Sequence, residues 1–254
     1  MGEKIITQVE KNGVATLRMN DAATNNTFTD EFISGFIQCL ERIEEAEPKV
    51  LILQGLPQVF CAGAEKRNLL DLCEGRILVK DLLISEKLVQ VPFPVIAAME
   101  GHAVGGGFVM AMCCDIVLAA RESRYGVVFM SLGFTPGMGC TTLLPELVGP
   151  FLANEMMYTG KRFKGRELAE RSTNINYILP RKEILPKAKE IALRISEINR
   201  KSLTILKNTL AARKKKLLIE ARLQEDLMHR ISFAYPETKK AVEELYAGQE
   251  EEEK

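Results

Sequence analysis

Three consecutive glycines, Gly105–Gly107, separate an apolar run typical of a strand from an apolar run typical of a helix. Backbone N–H groups at the start of a helix lack partners within the helix and carry partial positive charge, so they bind a phosphate or an oxyanion. Neither glycine pattern of nucleotide sites is present around these residues. Tight helix–sheet packing accounts well for one glycine and poorly for three. The pattern therefore disfavours a nucleotide site, and packing alone does not explain all three glycines.

Lys80 and His229 are side chains whose neighbours suggest a chemical role. Lys80 interrupts an apolar stripe on a predicted helix, so it is either a functional cation or a lysine extending from the edge of that stripe. His229 follows Glu225 and Asp226 on a predicted helix, where these acids would orient it or raise its pKa. The alternative for His229 is an ordinary surface histidine. We interpret His102 as part of the packing of a loop.

The six cysteines form no C-x-x-C pair, and most lie in apolar surroundings. We interpret them as reduced, buried thiols, which are typical of a cytoplasmic protein. With only two histidines and no clustered ligand spacing, the sequence predicts no metal site and suggests no cofactor. The cysteines are Cys39, Cys61, Cys73, Cys113, Cys114 and Cys140.

The composition limits the possible partners and the number of domains. The chain has 254 residues, of which 46% are hydrophobic, enough for one large domain with or without a small appendage. It carries 34 basic and 34 acidic side chains, a balance that argues against nucleic acid or an anionic membrane as the main partner. We find neither an apolar run of about 20 residues nor a secretory signal, so we expect a cytoplasmic protein.

The elements that must position these residues alternate between strands and helices. Strands are predicted over 3–9 and 13–19 around the turn dipeptide Asn12-Gly13, and a helix begins after Thr29. Short apolar runs predict further buried strands. This order of elements indicates an α/β fold. The runs are "KVLILQG", "FPVIAAMEG" and "DIVLAA".

In the first half of the chain, a single helix is predicted between the loop "VFCAGAEK" and about Gln90.

The last third of the chain has a different pattern. Strand patterns stop at about Lys182, after which 183–235 predicts two long helices and 236–248 a shorter one. We therefore divide the chain into a core over 1–195 and a C-terminal helical region over 196–254. Such helices need a surface to lie on, either on their own core or on a neighbouring subunit.

Several motifs together resemble the crotonase family, also called the enoyl-CoA hydratase/isomerase superfamily. They occur in the family's order and spacing, and the resemblance covers essentially the whole chain. The motifs are "MNDAATNNTFTDEF" at 19–32, "FCAGAEK" at 60–66, "MEGHAVGGGFVMAMCCDIVLA" at 99–119 and "LGFTPGMG" at 132–139.

This resemblance implies a crotonase-like spiral of ββα repeats, with C-terminal helices used for assembly as a homotrimer or a dimer of trimers. It also implies an acyl-thioester substrate whose carbonyl binds in an oxyanion hole. By position in the motifs, the two N–H donors are those of Ala64 and Gly106. Donors of this kind stabilise the negative charge that develops on an enolate.

Hydratases of this family use two glutamates for proton transfer, and here both positions hold hydrocarbon side chains. The positions are occupied by Val109 and Phe129, which we assign to the wall of the substrate pocket. Neither side chain accepts or donates a proton, so hydration by that route is excluded. Decarboxylation needs an enolate but no carboxylate base, and an apolar wall suits it.

A chain of this family that lacks both glutamates and carries Lys80 and His229 resembles the decarboxylases of polyketide β-branching cassettes. That resemblance implies decarboxylation of a 3-methylglutaconyl thioester to a 3-methylcrotonyl thioester. Lys80 would hold the distal carboxylate, and His229 would orient it or protonate the dienolate. The acyl group would arrive on an acyl-carrier protein or on coenzyme A.

Two other functions stay open at this point. One is an enoyl-CoA Δ3,Δ2-isomerase, which would form the same dienolate but lacks a carboxylate at 109 and 129 to move the proton. The other is a non-catalytic homologue that binds an acyl thioester without turnover.

Overall fold

The large sheet of the molecule has six strands in the order β1-β2-β3-β5-β7-β10. The computed structural model describes residues 3–77 and 83–252. β1 pairs with β2 in an antiparallel hairpin, and the other neighbours are parallel. The strands are β1 (Ile5–Val9), β2 (Val14–Met19), β3 (Val50–Gln54), β5 (Val95–Met99), β7 (Ile116–Ala120) and β10 (Tyr177–Leu179).

A smaller sheet has the order β4-β6-β8-β9. In three successive repeats the first strand joins the large sheet and the second joins the small sheet, which is the ββα arrangement that the sequence predicts. Because β4, β6 and β8 are parallel, their carboxyl ends meet at one edge. The strands are β4 (Val59–Cys61), β6 (His102–Val104), β8 (Arg124–Gly126) and β9 (Phe163–Lys164).

The first repeat agrees with the sequence prediction. Gly13 has a φ of 87° in the hairpin turn, a conformation that favours glycine. Thr29 accepts a hydrogen bond from the Phe32 N–H and caps helix α1 (Asp30–Glu45), whose apolar stripe packs into the core. Both features were readable from the sequence because each depends on neighbouring residues alone.

The prediction of a single helix that runs to Gln90 is wrong, because the structure has two helices in this region. Helix α2 spans Lys66–Cys73, and helix α3 spans Ile84–Gln90. Residues 74–77 form a turn and a bend, and Gly75 has a φ of 69°, which ends α2. Lys80 lies in 78–82, outside the described residues.

The helices that follow enclose the main core on one side of the large sheet. Helix α4 (Gly106–Met112) begins at the glycine triplet, and a 3₁₀ helix spans Val128–Leu132. Helix α5 spans Cys140–Val148 and α6 spans Pro150–Thr159. The short helix α7 (Gly165–Glu170) precedes the last strand.

Within the described residues, three helices follow the last strand, as predicted. Helix α8 (Arg181–Ser196) packs Ile184, Ala188 and Ala192 against the second face of the large sheet. Helix α9 (Arg200–Ser232) is 33 residues long, and α10 (Pro236–Glu252) follows. The division of the chain at 195 stays a prediction. No helix of the described part of the chain is long and apolar enough to cross a membrane.

Helix α9 lies on the core along one face. Lys207 is 4% exposed and binds both carboxylate oxygens of Asp115 at 2.6 and 2.8 Å. Lys214 donates to the carbonyl oxygens of Met112 and Cys114, where α4 ends. The core of its own chain is therefore the surface on which this helix lies.

The opposite face of α9 carries a ridge of exposed apolar side chains, which we call the α9 ridge. Large apolar side chains seldom form so long an exposed row unless another surface covers them. The α9 ridge consists of Ile205, Leu206, Leu210, Ile219, Leu223, Leu227 and Ile231.

Candidate active site

The glycine triplet forms the turn between β6 and α4. Gly105 has a φ of 54°, and its N–H donates to the Gly126 carbonyl oxygen at 2.8 Å. Its own carbonyl oxygen accepts from the N–H groups of Phe108 and Val109, which closes the first turn of α4. Gly106 is the first residue of this helix, where N–H groups precede the helix's own hydrogen bonds.

The loop that carries Ala64 packs directly against this turn. A Cβ atom on Gly63 would lie 2.7 Å from the Val104 carbonyl oxygen and 3.5 Å from the Gly106 nitrogen. A Cβ atom on Gly107 would collide with the Cys61 carbonyl group. The structure thus brings together the two loops that hold Ala64 and Gly106. The close approach of the two loops also explains why positions 63 and 107 need glycine.

Asn26 holds the first of these loops in place, and the sequence analysis did not single it out. Its side chain is buried; Nδ2 donates to the Phe60 carbonyl oxygen at 2.9 Å, and Oδ1 accepts from the Asp21 N–H at 2.8 Å. Nearby, the Phe28 N–H donates to the Gly63 carbonyl oxygen. The available signal was the Asn-Asn dipeptide, since asparagine tolerates the φ of 55° found here.

Val109 and Phe129 line the apolar side of the same region. Val109 has no exposed surface and Phe129 is 9% exposed. Phe129 lies 3.8 Å from the position that a Cβ atom on Gly105 would occupy. Its ring meets Phe134 edge-on, and Phe134 stacks on Phe233 at 4.6 Å between ring centroids. A hydrocarbon wall therefore extends from the glycine turn to the end of α9.

His229 is buried against this wall, so the interpretation as a surface histidine is wrong. It is 6% exposed, and its ring centroid lies 5.4 Å from that of Phe233. Its Nε2 atom lies 2.9 Å from the carbonyl oxygen of Thr135. Because a carbonyl oxygen only accepts hydrogen bonds, Nε2 carries the proton of the neutral ring. Nδ1 is then the atom that can take a second proton.

Burial lowers the pKa of His229 below its usual value of 6.5. The carbonyl groups of Thr135 and Pro136 and the carboxylates of Glu225 and Asp226 act in the opposite direction, but their effect is smaller. The two acids thus raise this pKa as expected, but burial outweighs them and the net shift is downward. Near neutral pH the imidazole is uncharged.

His102 has a structural role, as predicted. Its Nδ1 atom accepts a hydrogen bond from the Arg124 N–H at 2.8 Å and so links β6 to β8. Burial lowers its pKa, and Arg181, Arg162 and Arg124 lower it further.

The remaining candidate ligands and thiols are dispersed through the fold. All six cysteines are free, and all except Cys73 are buried. Burial raises the pKa of Cys113 to about 11 and that of Cys61 to about 12, so both stay protonated thiols near neutral pH. Within residues 3–77 and 83–252, no three His, Cys, Asp or Glu side chains lie close enough to bind a metal ion together.

Comparisons with known proteins agree with this geometry. A family model for enoyl-CoA hydratase/isomerase matches residues 9–251. The bacillaene synthase decarboxylase PksI of Bacillus subtilis is 35% identical over 250 residues, which cover 98% of this chain and 100% of that protein.

Two solved structures extend the similarity to three dimensions. One belongs to a dehydratase/decarboxylase couple of polyketide β-branching, with a TM-score of 0.93, 34% identity and 96% of this chain and 99% of that one covered. The other is the ECH2 decarboxylase domain of CurF from Lyngbya majuscula, with a TM-score of 0.89, 32% identity and 95% and 98% covered. These similarities confirm the predicted crotonase fold.

Proposed function

The chain belongs to the enoyl-CoA hydratase/isomerase family, and we propose that it decarboxylates a 3-methylglutaconyl thioester to a 3-methylcrotonyl thioester. The observation that carries this proposal is the hydrocarbon wall at Val109 and Phe129, beside the turn that holds Gly106. Hydration in this family needs carboxylates at those two positions to move protons. The similarity to decarboxylases, over almost the whole chain, points to the same reaction.

The reaction breaks the bond between the distal carboxylate and C4 of the acyl chain. The bonding electrons pass through the conjugated double bond to the thioester oxygen, CO₂ leaves, and a dienolate remains. One proton added at C4 completes the 3-methylcrotonyl product. The thioester itself accepts the electrons, so the proposed reaction uses no cofactor.

We assign the dienolate oxygen to the N–H groups of Ala64 and Gly106. Support comes from the contact between their loops and from the place of Gly106 at the start of α4. Each donor of such a hole typically lowers the barrier by about 2.7–4 kcal/mol, because it meets charge that develops only during the reaction.

We assign the distal carboxylate to Lys80 and the proton transfer to His229. The assignment of Lys80 rests on the resemblance, since this residue lies outside the described part of the chain. His229 is neutral and its Nε2–H is directed at Thr135, so proton transfer through Nδ1 is the role that fits its surroundings. Nδ1 takes a proton from the solvent and delivers it to C4 of the dienolate, which returns the ring to its neutral form.

The carrier of the acyl group is, in this proposal, an acyl-carrier protein in a polyketide assembly line, with coenzyme A as the alternative. Support comes from two similar proteins, the bacillaene synthase decarboxylase PksI and the decarboxylase of a polyketide β-branching couple. The six free thiols agree with the cytoplasm as the location.

The α9 ridge supports assembly as a homotrimer or a dimer of trimers. One face of α9 already packs on its own core, so the exposed apolar face remains available for a second copy of the chain. Burying these side chains removes apolar surface from water, which favours association.

The binding of the distal carboxylate by Lys80 is tested by measuring the release of CO₂ from a 3-methylglutaconyl thioester in the Lys80→Ala variant. We expect release to be abolished, because the carboxylate loses its counter-charge. Lys87→Ala is the matched control; Lys87 pairs with Glu41 at the surface, so this variant keeps normal activity. Full activity in Lys80→Ala would contradict the assignment.

A further inference from the structure

Glu225 is a buried carboxylate that the reaction as described does not use. It is 1% exposed, and its two oxygens accept three hydrogen bonds from a single turn of the chain. Oε2 accepts from the Gly139 N–H at 2.7 Å. Oε1 accepts from the N–H and the hydroxyl of Thr141 at 2.9 and 2.7 Å. Charged hydrogen bonds of this length are strong, and the loss of one partner is costly when the site is buried.

The same segment of chain that Glu225 binds also carries the partner of His229. Residues 135–141 contact α9 at both ends, with Thr135 at one end and Thr141 at the other. His229 meets the Thr135 carbonyl oxygen, and the Ser232 hydroxyl lies 3.1 Å from the Thr135 hydroxyl. The segment is thus held by side chains that follow one another along one face of the helix.

Close packing holds the Glu225 end of this segment against α9. Gly139 has a φ of 90°, and a Cβ atom placed on it would collide with Leu218 of α9. The segment therefore touches the helix with its backbone at Gly139. From there it leads over Met138, Gly137 and Pro136 to the Thr135 carbonyl group, so both contacts with α9 lie on one short segment.

We propose that Glu225 is a positioning residue, which acts on the reaction by holding residues 135–141 so that the Thr135 carbonyl oxygen fixes the His229 ring. The consequence for catalysis rests on the proposed function. The structural part of the proposal, from Glu225 to the state of the His229 ring, does not depend on any substrate.

Nitrogen NMR of the histidine rings tests this proposal directly in the Glu225→Gln variant. The chain has only two histidines, so a His102→Gln spectrum assigns both. In the wild type we expect a neutral His229 ring with its proton on Nε2. In Glu225→Gln an amide group faces N–H donors, so the segment shifts and the Nε2–H tautomer of the neutral His229 ring loses population. Loss of the Glu225 charge by itself lowers the His229 pKa, so the tautomer population at a pH where the ring is neutral, and not the pKa, is the readout of positioning.

Two measurements separate positioning from general stability. The matched control is Glu220→Gln on the same helix, where the exposed Glu220 is 3.9 Å from Lys216. We expect its His229 signals to match those of the wild type. With the decarboxylation substrate, kcat of Glu225→Gln should fall about 10- to 100-fold with little change in KM, as for other small displacements of catalytic groups.

Thr141→Val provides a second route if Glu225→Gln does not fold. It removes one donor to Glu225 and keeps the volume of the side chain, so His229 should change in the same direction by less; Thr141→Ser should resemble the wild type. Unchanged His229 signals in both Glu225→Gln and Thr141→Val overturn the proposal. If these signals shift but no variant, nor the wild type, releases CO₂, the proposed function fails and the positioning role stands.

Discussion

Val109 occupies a position with no contact with water, and the valine there is the clearest chemical sign in the chain. A buried glutamate at this position would need partners, whereas a valine needs only packing. The absence of both glutamates was readable from the sequence, because it depends only on the identity of residues 109 and 129. The state of His229 was not readable. It depends on Thr135, which lies 94 residues away in the chain.

We expect Val109→Thr to weaken both the fold and the reaction. The shape of the side chain is kept, and a hydroxyl group enters a site without exposed surface, so the free energy of unfolding should fall by about 1–3 kcal/mol. Decarboxylation should slow, because a polar wall favours the substrate carboxylate over the delocalised dienolate. Urea unfolding and initial rates measure the two effects.

The control is Val9→Thr on the exposed edge strand β1, where the change should be within about 0.5 kcal/mol. An unchanged free energy of unfolding in Val109→Thr would show that residue 109 contacts water.

We expect the free energy of unfolding to decrease as the pH is lowered below 6.5, and we expect this decrease to be smaller in His229→Gln. The folded-state pKa of His229 lies below 6.5, so as pH falls below 6.5 the unfolded chain takes up a proton that the folded chain does not. The stability that neutral His229 contributes is fully present above pH 6.5. It is lost as the pH falls from 6.5 to the pKa of His229 in the folded chain. Thermal unfolding at a series of pH values measures this.

His102, whose pKa is also lowered, requires the parallel variant His102→Gln to separate the two contributions. The same pH dependence in the wild type and in His229→Gln would contradict a buried neutral His229.

At the scale of whole elements, α9 connects the parts of the candidate site. Its contacts reach the end of α4 through Lys214, the start of α5 through Glu225 and the loop at Thr135 through His229. The sequence predicted two long helices over 183–235, of which α9 is the second, without the boundary between them. It could not predict which polar side chains face inward, because lysines and glutamates are normally exposed and only their partners on the core make their burial possible.

We expect Lys207→Met to destabilise the fold by about 2–3 kcal/mol. The variant leaves the Asp115 carboxylate, which also accepts from the Val95 N–H, without its counter-charge. Removal of one partner of a fully buried pair costs about 3–5 kcal/mol, and Asp115 keeps some access to water. Urea unfolding provides the measurement.

Lys216→Met is the matched control on the same helix, where the side chain is largely exposed and the change should be within about 0.5 kcal/mol. Equal effects of the two variants would show that the Lys207–Asp115 pair contributes nothing beyond a surface ion pair.

At the scale of the molecule, the ββα repeats bring the carboxyl ends of β4, β6 and β8 to one edge. This explains why the loops that carry Ala64 and Gly106 pack together although 42 residues separate these two positions. The repeat was recognisable from motifs in their order. The end of α2 at Cys73 was indicated only by Gly75, whose φ is 69°.

The α9 ridge should determine the oligomeric state. Leu223→Glu and Leu227→Glu place charges in the exposed apolar face, so we expect the mass in light scattering to fall from three or more subunits to one. Circular dichroism should remain that of a folded chain, because neither leucine packs into the core. Lys216→Glu, an exposed charged position, is the control. An unchanged assembly in both leucine variants would place the subunit contact elsewhere.

The loss of CO₂ from a 3-methylglutaconyl group can be measured by mass spectrometry of the acyl group after the protein is mixed with the acylated carrier protein. We expect the mass of the acyl group to fall by that of CO₂ and the product to be 3-methylcrotonyl. The same experiment with the coenzyme A thioester separates the two carriers. A product heavier by one water, a product of unchanged mass with a moved double bond, or no product at all would contradict decarboxylation.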